Sequence, residues 1–191
     1  TRDILMAWGE IDGELFHVFV AHFPSRRGGQ AESDHLRVRA AQIIRQHTDS
    51  LMALYPKGNI IIMGDMNDDP INNSMYSALN AKGDYKKLKE GELFNPFYSM
   101  FKAGFGTLAY QDQWNLFDMI IVNDNLIKRE RDKLSLYKPK KNKFYGNIFD
   151  RPFLRQQSGQ FKNYPFRTYV GSNFQGGYSD HFPVFIYIAK P

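Results

Sequence analysis

Asn59-Ile60-Ile61-Ile62-Met63-Gly64-Asp65-Met66-Asn67 is the stretch that decides how this chain folds. Asn59–Met63 is a nearly unbroken apolar run, too short for a globular helix and without polar alternation, which is the pattern of a strand buried on both faces. Pro56 and Gly58 bound it on one side. On the other, Gly64-Asp65 turns the chain and delivers a carboxylate to the strand end.

Working outward, Ser33 is placed to cap a helix reaching to about Tyr55, with Leu36, Ala40, Ile43, Ile44, His47, Leu51 and Leu54 on one face. Before it, Ile4–Trp8 and Leu15–His22 read as a hairpin around a Gly9–Glu14 turn, with Phe16, Val18 and Val20 alternating against His17, Phe19 and Ala21. Downstream, Pro70–Asn80 suits a short helix, and residues 82–113 are Gly- and aromatic-rich without a clear period. Leu116–Val122 and Pro183–Ile188 are two more apolar strands. Strands alternating with helices predict an α/β or α+β class with a layered sheet. No repeat or linker divides the chain, so residues 1–191 are expected to form a single domain.

Composition narrows the chemistry. Of 191 residues, 42% are hydrophobic and 15% aromatic, which excludes a disordered chain, and no apolar run approaches the ~18 residues of a membrane span. With no cysteine there are no disulfides or thiolate metal sites, so a metal here must be hard and oxygen-seeking. Lys and Arg total 25 against 20 Asp and Glu, a net of +5 that is unevenly spread. Residues 128–167 carry twelve basic side chains against Glu130, Asp132 and Asp150, a local +9 that leaves −4 on the rest. The same segment holds eight aromatic rings and is interrupted by Pro139, Pro152 and Pro165. Such a loop can grip a phosphate backbone and stack on bases, or can be a solvated excursion pinned down by its rings.

Four strands each bring an acid or an imidazole to a turn or into an apolar run: His22, Asp65 with Asn67, Asp118, and Asp180 with His181. Singly each has an ordinary explanation; Asp65 and Asn67, for instance, could cap the helix near Pro70. Asp118 is harder to dismiss, because a carboxylate among Leu116, Phe117, Met119 and Ile120 is costly unless partnered, and an imidazole is the obvious partner. Together these groups are the inventory that metal-assisted hydrolysis of a phosphoester requires.

Gly64-Asp65-Met66-Asn67, Phe117-Asp118-Met119-Ile120-Ile121-Val122 and Ser179-Asp180-His181-Phe182-Pro183-Val184 resemble, in order, three motifs of the endonuclease/exonuclease/phosphatase superfamily. Ala21-His22-Phe23-Pro24-Ser25-Arg26 resembles a fourth, and the likeness spans Arg2 to Ile188. It implies a four-layer α/β/β/α sandwich of two stacked mixed sheets flanked by helices, and Mg²⁺- or Mn²⁺-dependent hydrolysis of a P–O bond. Carried over position by position, Asp180 would be a metal ligand, His181 the general base and Asp118 the group orienting it. Asp65 would position water or stabilise the leaving oxygen, Asn67 would contact the scissile phosphate, and His22 would bind a phosphate oxygen or protonate the leaving group. Arg2, Arg26 and Arg167 are the expected substrate-binding arginines.

Ala21 and Met66 depart from the family's usual Asn and Phe. The family's early Asn and metal-binding Glu precede the hairpin with which this sequence opens. The expectation is therefore an N-terminally incomplete domain whose exposed sheet face or edge invites self-association. The substrate is read as a phosphate ester, with a nuclease or phosphodiesterase favoured by the +9 segment. The alternatives are a phosphatase on a small ligand such as an inositol phosphate, and a non-catalytic polyanion-binding module. The Tyr- and Asn-rich loops are compatible with an exported bacterial enzyme, and a cysteine-free chain suits any compartment.

Overall fold

The computed structural model describes residues 2–190. Strands β1 (Leu5–Ile11) and β2 (Glu14–His22) form an antiparallel hairpin. It closes on Asp12-Gly13, both at positive φ (53° and 77°), the turn geometry whose twist suits flanking strands. The strands therefore run on to a two-residue turn and absorb most of the expected Gly9–Glu14 loop.

Helix α1 (Gln30–Leu54) begins three residues before Ser33, with Gly29 at its N-cap. The Ser33 hydroxyl donates to the Gly29 carbonyl inside the first turn (3.0 Å) and so is not the cap. The buried stripe of α1 is Ser33, Arg37, Ala41, Ile44 and Thr48, whereas Leu36 and Leu54, expected on the core face, are exposed. The stripe is rotated because Arg37 is drawn inward by Asp68, 2.9 Å from its Nε.

The chain returns in β3 (Asn59–Asp65), parallel to β2, completing a βαβ crossover. A π-helical turn over Ser74–Ala78 replaces the expected helix 70–80. Then come β4 (Ala81–Lys82), β5 (Leu93–Phe94), α2 (Tyr98–Lys102), β6 (Leu108–Tyr110), β7 (Gln113–Asn115) and β8 (Asp118–Val122). The central sheet has six strands in the order β1-β2-β3-β8-β5-β4.

The later segments are short: β9 (Ser135–Tyr137), β10 (Asn147–Ile148), β11 (Tyr169–Val170), β12 (Asn173–Phe174), β13 (Val184–Phe185) and β14 (Tyr187–Ala189). They pair two by two, β9 with β14, β10 with β13 and β11 with β12, as do β6 and β7. The expected strand Pro183–Ile188 is thus split at Ile186 between two partners.

One sheet face packs under α1 through Phe19, Ala21, Ala41, Ile44, Ile60, Ile62, Met119 and Ile121. Ile60 and Ile62 are fully buried, each worth ~1.5–3 kcal/mol, and they anchor β3. On the opposite face Phe16, Val122 and Ile61 meet Leu136 of β9 and Ile188 of β14. Toward β1 that face opens, leaving Leu5, Ile11 and Val20 exposed. The architecture is mixed α/β around a central sheet. Among the described residues the remaining strands form two-stranded ribbons of two or three residues each, and Pro139, Pro152 and Pro165 interrupt the segment between β9 and β11.

Candidate active site

Strands β2, β3 and β8 end together, with His22 beside Asp65 and Asp65 directly opposite Asp118. Gly64 sets where Asp65 emerges. Its φ is +138°, and a Cβ there would lie 1.9 Å from the Ala21 carbonyl oxygen, so only glycine lets β2 and β3 approach this closely.

The turn after Asp65 is fixed from several sides. The Asn67 N–H donates to Asp65 Oδ1 at 2.8 Å. The Asn67 side-chain amide donates to the Phe23 carbonyl at 3.0 Å and to Asp65 Oδ2 at 3.3 Å. Asn67 itself sits at φ 49°, a left-handed conformation that asparagine tolerates. His22 Nε2 approaches Asp65 Oδ2 at 3.3 Å.

Asp118 Oδ2 lies 2.8 Å from His181 Nδ1. Burial pulls the His181 imidazole down, but the hydrogen bond and charge of Asp118, with the charges of Asp65 and Asp180, outweigh it and hold His181 above its ordinary value. Asp65 is raised in turn. Burial is the main cause, and facing Asp118 adds to it, while His181, the Asn67 N–H and His22 partly offset it. One ligand atom each from Asp65, Asp118 and His181 lie within 4.8 Å of one another. Asp180 is exposed on the preceding turn and stands outside that trio, although its charge reaches His181.

The three arginines are placed differently. Arg2 is exposed just before β1, at the end of the sheet where β2 delivers His22. Arg26 points into the turn after β3: its Nε donates to the Asn67 carbonyl (2.9 Å), and its Nη2 meets Asp68 (3.2 Å), Asp69 (3.1 Å) and Asn72 (3.0 Å). Its guanidinium also lies over the Phe117 ring at 4.3 Å. Arg167 is half-buried in the loop that leads to Asp180 and His181.

Three supporting residues were not singled out from the sequence. Asp69 accepts from the Leu116 N–H (2.8 Å) and the Asn115 amide (2.9 Å) as well as from Arg26, tying the turn after β3 to the start of β8. Asp68, wholly buried, meets Arg37 and accepts from the Ser74 hydroxyl at 2.6 Å. Thr107, also buried, accepts from the Phe117 and Asp118 N–H groups on its hydroxyl (3.3 and 3.4 Å), and its carbonyl accepts from Phe182 N–H at 2.8 Å. It thus holds the residues adjoining both halves of the Asp118–His181 pair. The consecutive acids Asp68-Asp69, directly after the Gly-Asp-Met-Asn turn, were a readable signal; Thr107 offered none.

The sequence profile of the Endonuclease/Exonuclease/phosphatase family matches residues 1–190, and the chain belongs to that family, whose members hydrolyse phosphate esters. No curated protein matches it. Among solved structures it is similar to a humanized TDP2 of D. rerio (13% identity, TM-score 0.55, 97% of this chain and 60% of that one). It is similar also to a truncated TDP2 of Caenorhabditis elegans (14%, TM-score 0.55, 95% and 57%) and to a beta toxin of Staphylococcus aureus (16%, TM-score 0.51, 96% and 56%). At these identities the likeness is one of fold. The chain spans somewhat under two thirds of each of those structures.

Proposed function

We propose that this protein is a metal-dependent phosphoesterase that cleaves a P–O bond with activated water and acts as a nuclease or phosphodiesterase. The observation that carries the reading is the Asp118–His181 pair at 2.8 Å, set against Asp65 at the common end of three strands. Asp118 accepts from Nδ1–H, which leaves Nε2 of His181 to take a proton from water. Asp65 positions that water or stabilises the leaving oxygen. His22 stands on the other side of Asp65, placed to contact a phosphate oxygen or protonate the leaving group. Asn67 contacts the scissile phosphate from a turn whose shape its own amide enforces.

Asp65 and Asp118, facing each other across β3 and β8 with ligand atoms within 4.8 Å, are hard oxygen donors of the kind that Mg²⁺ or Mn²⁺ takes. Asp180, whose charge reaches His181 from the adjoining turn, would be the ligand that the family likeness adds to them. The cation would supply Lewis acidity and a bound water of lowered pKa. The exposed apolar residues on the sheet face opposite α1 support the finer architecture of two stacked sheets as the setting in which the site works.

The substrate class follows the charge. Lys141, Lys143 and Arg151 line a groove of about 710 Å³ together with Phe105, Trp114 and Phe182, the last next in sequence to His181. A TDP2 of D. rerio with the same fold (12% identity, TM-score 0.54) was crystallised with a single-strand DNA product, in keeping with a nucleic-acid substrate here. The test is hydrolysis of a bis-aryl phosphodiester with Mn²⁺, before and after EDTA. Activity lost on chelation and in His181→Ala is the expected result. Turnover undiminished in His181→Ala would refute the Asp118–His181 reading of the site, and binding of polyanions with no turnover would leave a non-catalytic binding module.

A further inference from the structure

A second cleft, of about 460 Å³, opens between the β6–β7 hairpin and the loop 156–175. The loop wall is continuous with the candidate site: the Ser179 N–H donates to the Phe166 carbonyl, and the Ser179 hydroxyl accepts from the His181 N–H. The cleft is unlike the basic groove. It presents the rings of Tyr110 and Phe161, 64% and 45% exposed, and the side-chain amides of Gln156 and Gln175. Its single carboxylate, Asp112, is already held by the Tyr164 hydroxyl, and its single cation is Arg167. Among the described residues no carboxylate lies within ion-pairing distance of that guanidinium. Tyr164 packs on Trp114 (5.8 Å between ring centroids), and Trp114 stacks on Phe182 (6.1 Å, 13°), so two ring contacts separate the cleft wall from the neighbour of His181.

We infer that this cleft is a nucleobase site: it takes one unpaired base of a single-stranded nucleic acid, with Arg167 on the phosphate attached to it. Exposed rings offer stacking faces, and amides, each both donor and acceptor, match the mixed edge of a base. A lone guanidinium suits one phosphodiester and not a ligand bearing several phosphates, which needs a cluster of cations. The inference rests on the phosphoesterase reading and gives it a substrate class.

The experiment is run without divalent cation, in a Trp8→Phe background, so that Trp114 is the sole tryptophan and reports on Tyr164. Fluorescence is titrated with tetrathymidylate and with an abasic tetramer carrying the same phosphates. The expected result is that tetrathymidylate binds about tenfold or more tightly than the abasic strand, with Trp114 emission changing saturably. That advantage should shrink in Phe161→Ala and Gln175→Ala. Equal affinity for the two strands, or an advantage unchanged in both variants, overturns the base site. The catalytic reading is scored apart from this, by hydrolysis of the bis-aryl phosphodiester by the parent with Mn²⁺ and its loss in His181→Ala. A parent that binds bases selectively but never turns over this reporter leaves the base site standing and removes the enzyme.

Discussion

Replacing Arg37 by Met should strongly destabilise the fold beneath the candidate site. Arg37 and Asp68 are both 0% exposed, with Nε and Oδ2 2.9 Å apart but not aligned as a hydrogen bond. The guanidinium also donates from Nη1 to Ser33 Oγ (2.8 Å) and from Nη2 to the Gln30 carbonyl (2.7 Å). Methionine fills similar volume but strands the Asp68 carboxylate with only Ser74 and the more distant Arg26. Breaking a buried pair in this way costs about 3–5 kcal/mol, which in a domain of this size lowers Tm by about 6–20 °C. Asp68→Asn leaves the complementary charge stranded and should cost about as much. Removing both charges in Arg37→Met/Asp68→Asn should recover half or more of the loss, since the pair's attraction barely exceeds the cost of desolvating two ions. The assay is urea unfolding of the four proteins as a double-mutant cycle. A single-variant loss under about 1 kcal/mol, or strict additivity, would refute the reasoning.

Two further outcomes are expected. His17 is buried with its Nδ1 unpartnered, and burial holds its pKa below 6.5. The unfolded state therefore binds the proton first, so stability should fall as pH drops below about 6.5 and level off above it. The slope should be reduced in His17→Phe, measured by urea midpoints at pH 7.5 and 5.5, and an equal drop in both proteins would exclude His17 as the cause. Arg26→Ala should lower kcat about 10- to 100-fold with little change in KM, because its donors hold the Asn67 turn in place. Millimolar guanidinium should restore part of the rate; a raised KM with kcat intact would instead make Arg26 a direct substrate contact.

What was legible in the sequence was local. The hairpin, β3 and β8 follow from period and turn chemistry, and the carboxylates and imidazoles stand out because they interrupt apolar runs beside Gly-Asp or Ser-Asp turns. The structure brings His22, Asp65, Asn67, Asp118 and His181 to one end of the sheet, with Asp180 on the adjoining turn. What failed depended on distant partners. The face of α1 could not be assigned without knowing that Asp68 would draw Arg37 inward, and Leu36 and Leu54 looked like better core residues than an arginine. Pro183–Ile188 reads as one strand because its apolar pattern is continuous, yet its halves pair with β10 and β9. Thr107 acts through its hydroxyl and carbonyl on segments that meet only in the folded chain.

The pairing of Asp118 with His181 joins residues 63 positions apart in sequence. A chain emerging during synthesis that has reached Val122 can already build β1–β3, α1 and β8, and so can hold Asp65 against Asp118. At that stage Asp118 has no His181 to pair with, and the 128–167 segment, with its net +9, has yet to arrive. Closing that long loop is entropically slow and comes late. The Asp118–His181 pair can therefore form only after the C-terminal segment has been made and docked, and it is undone when β13 and β14 detach from their partners.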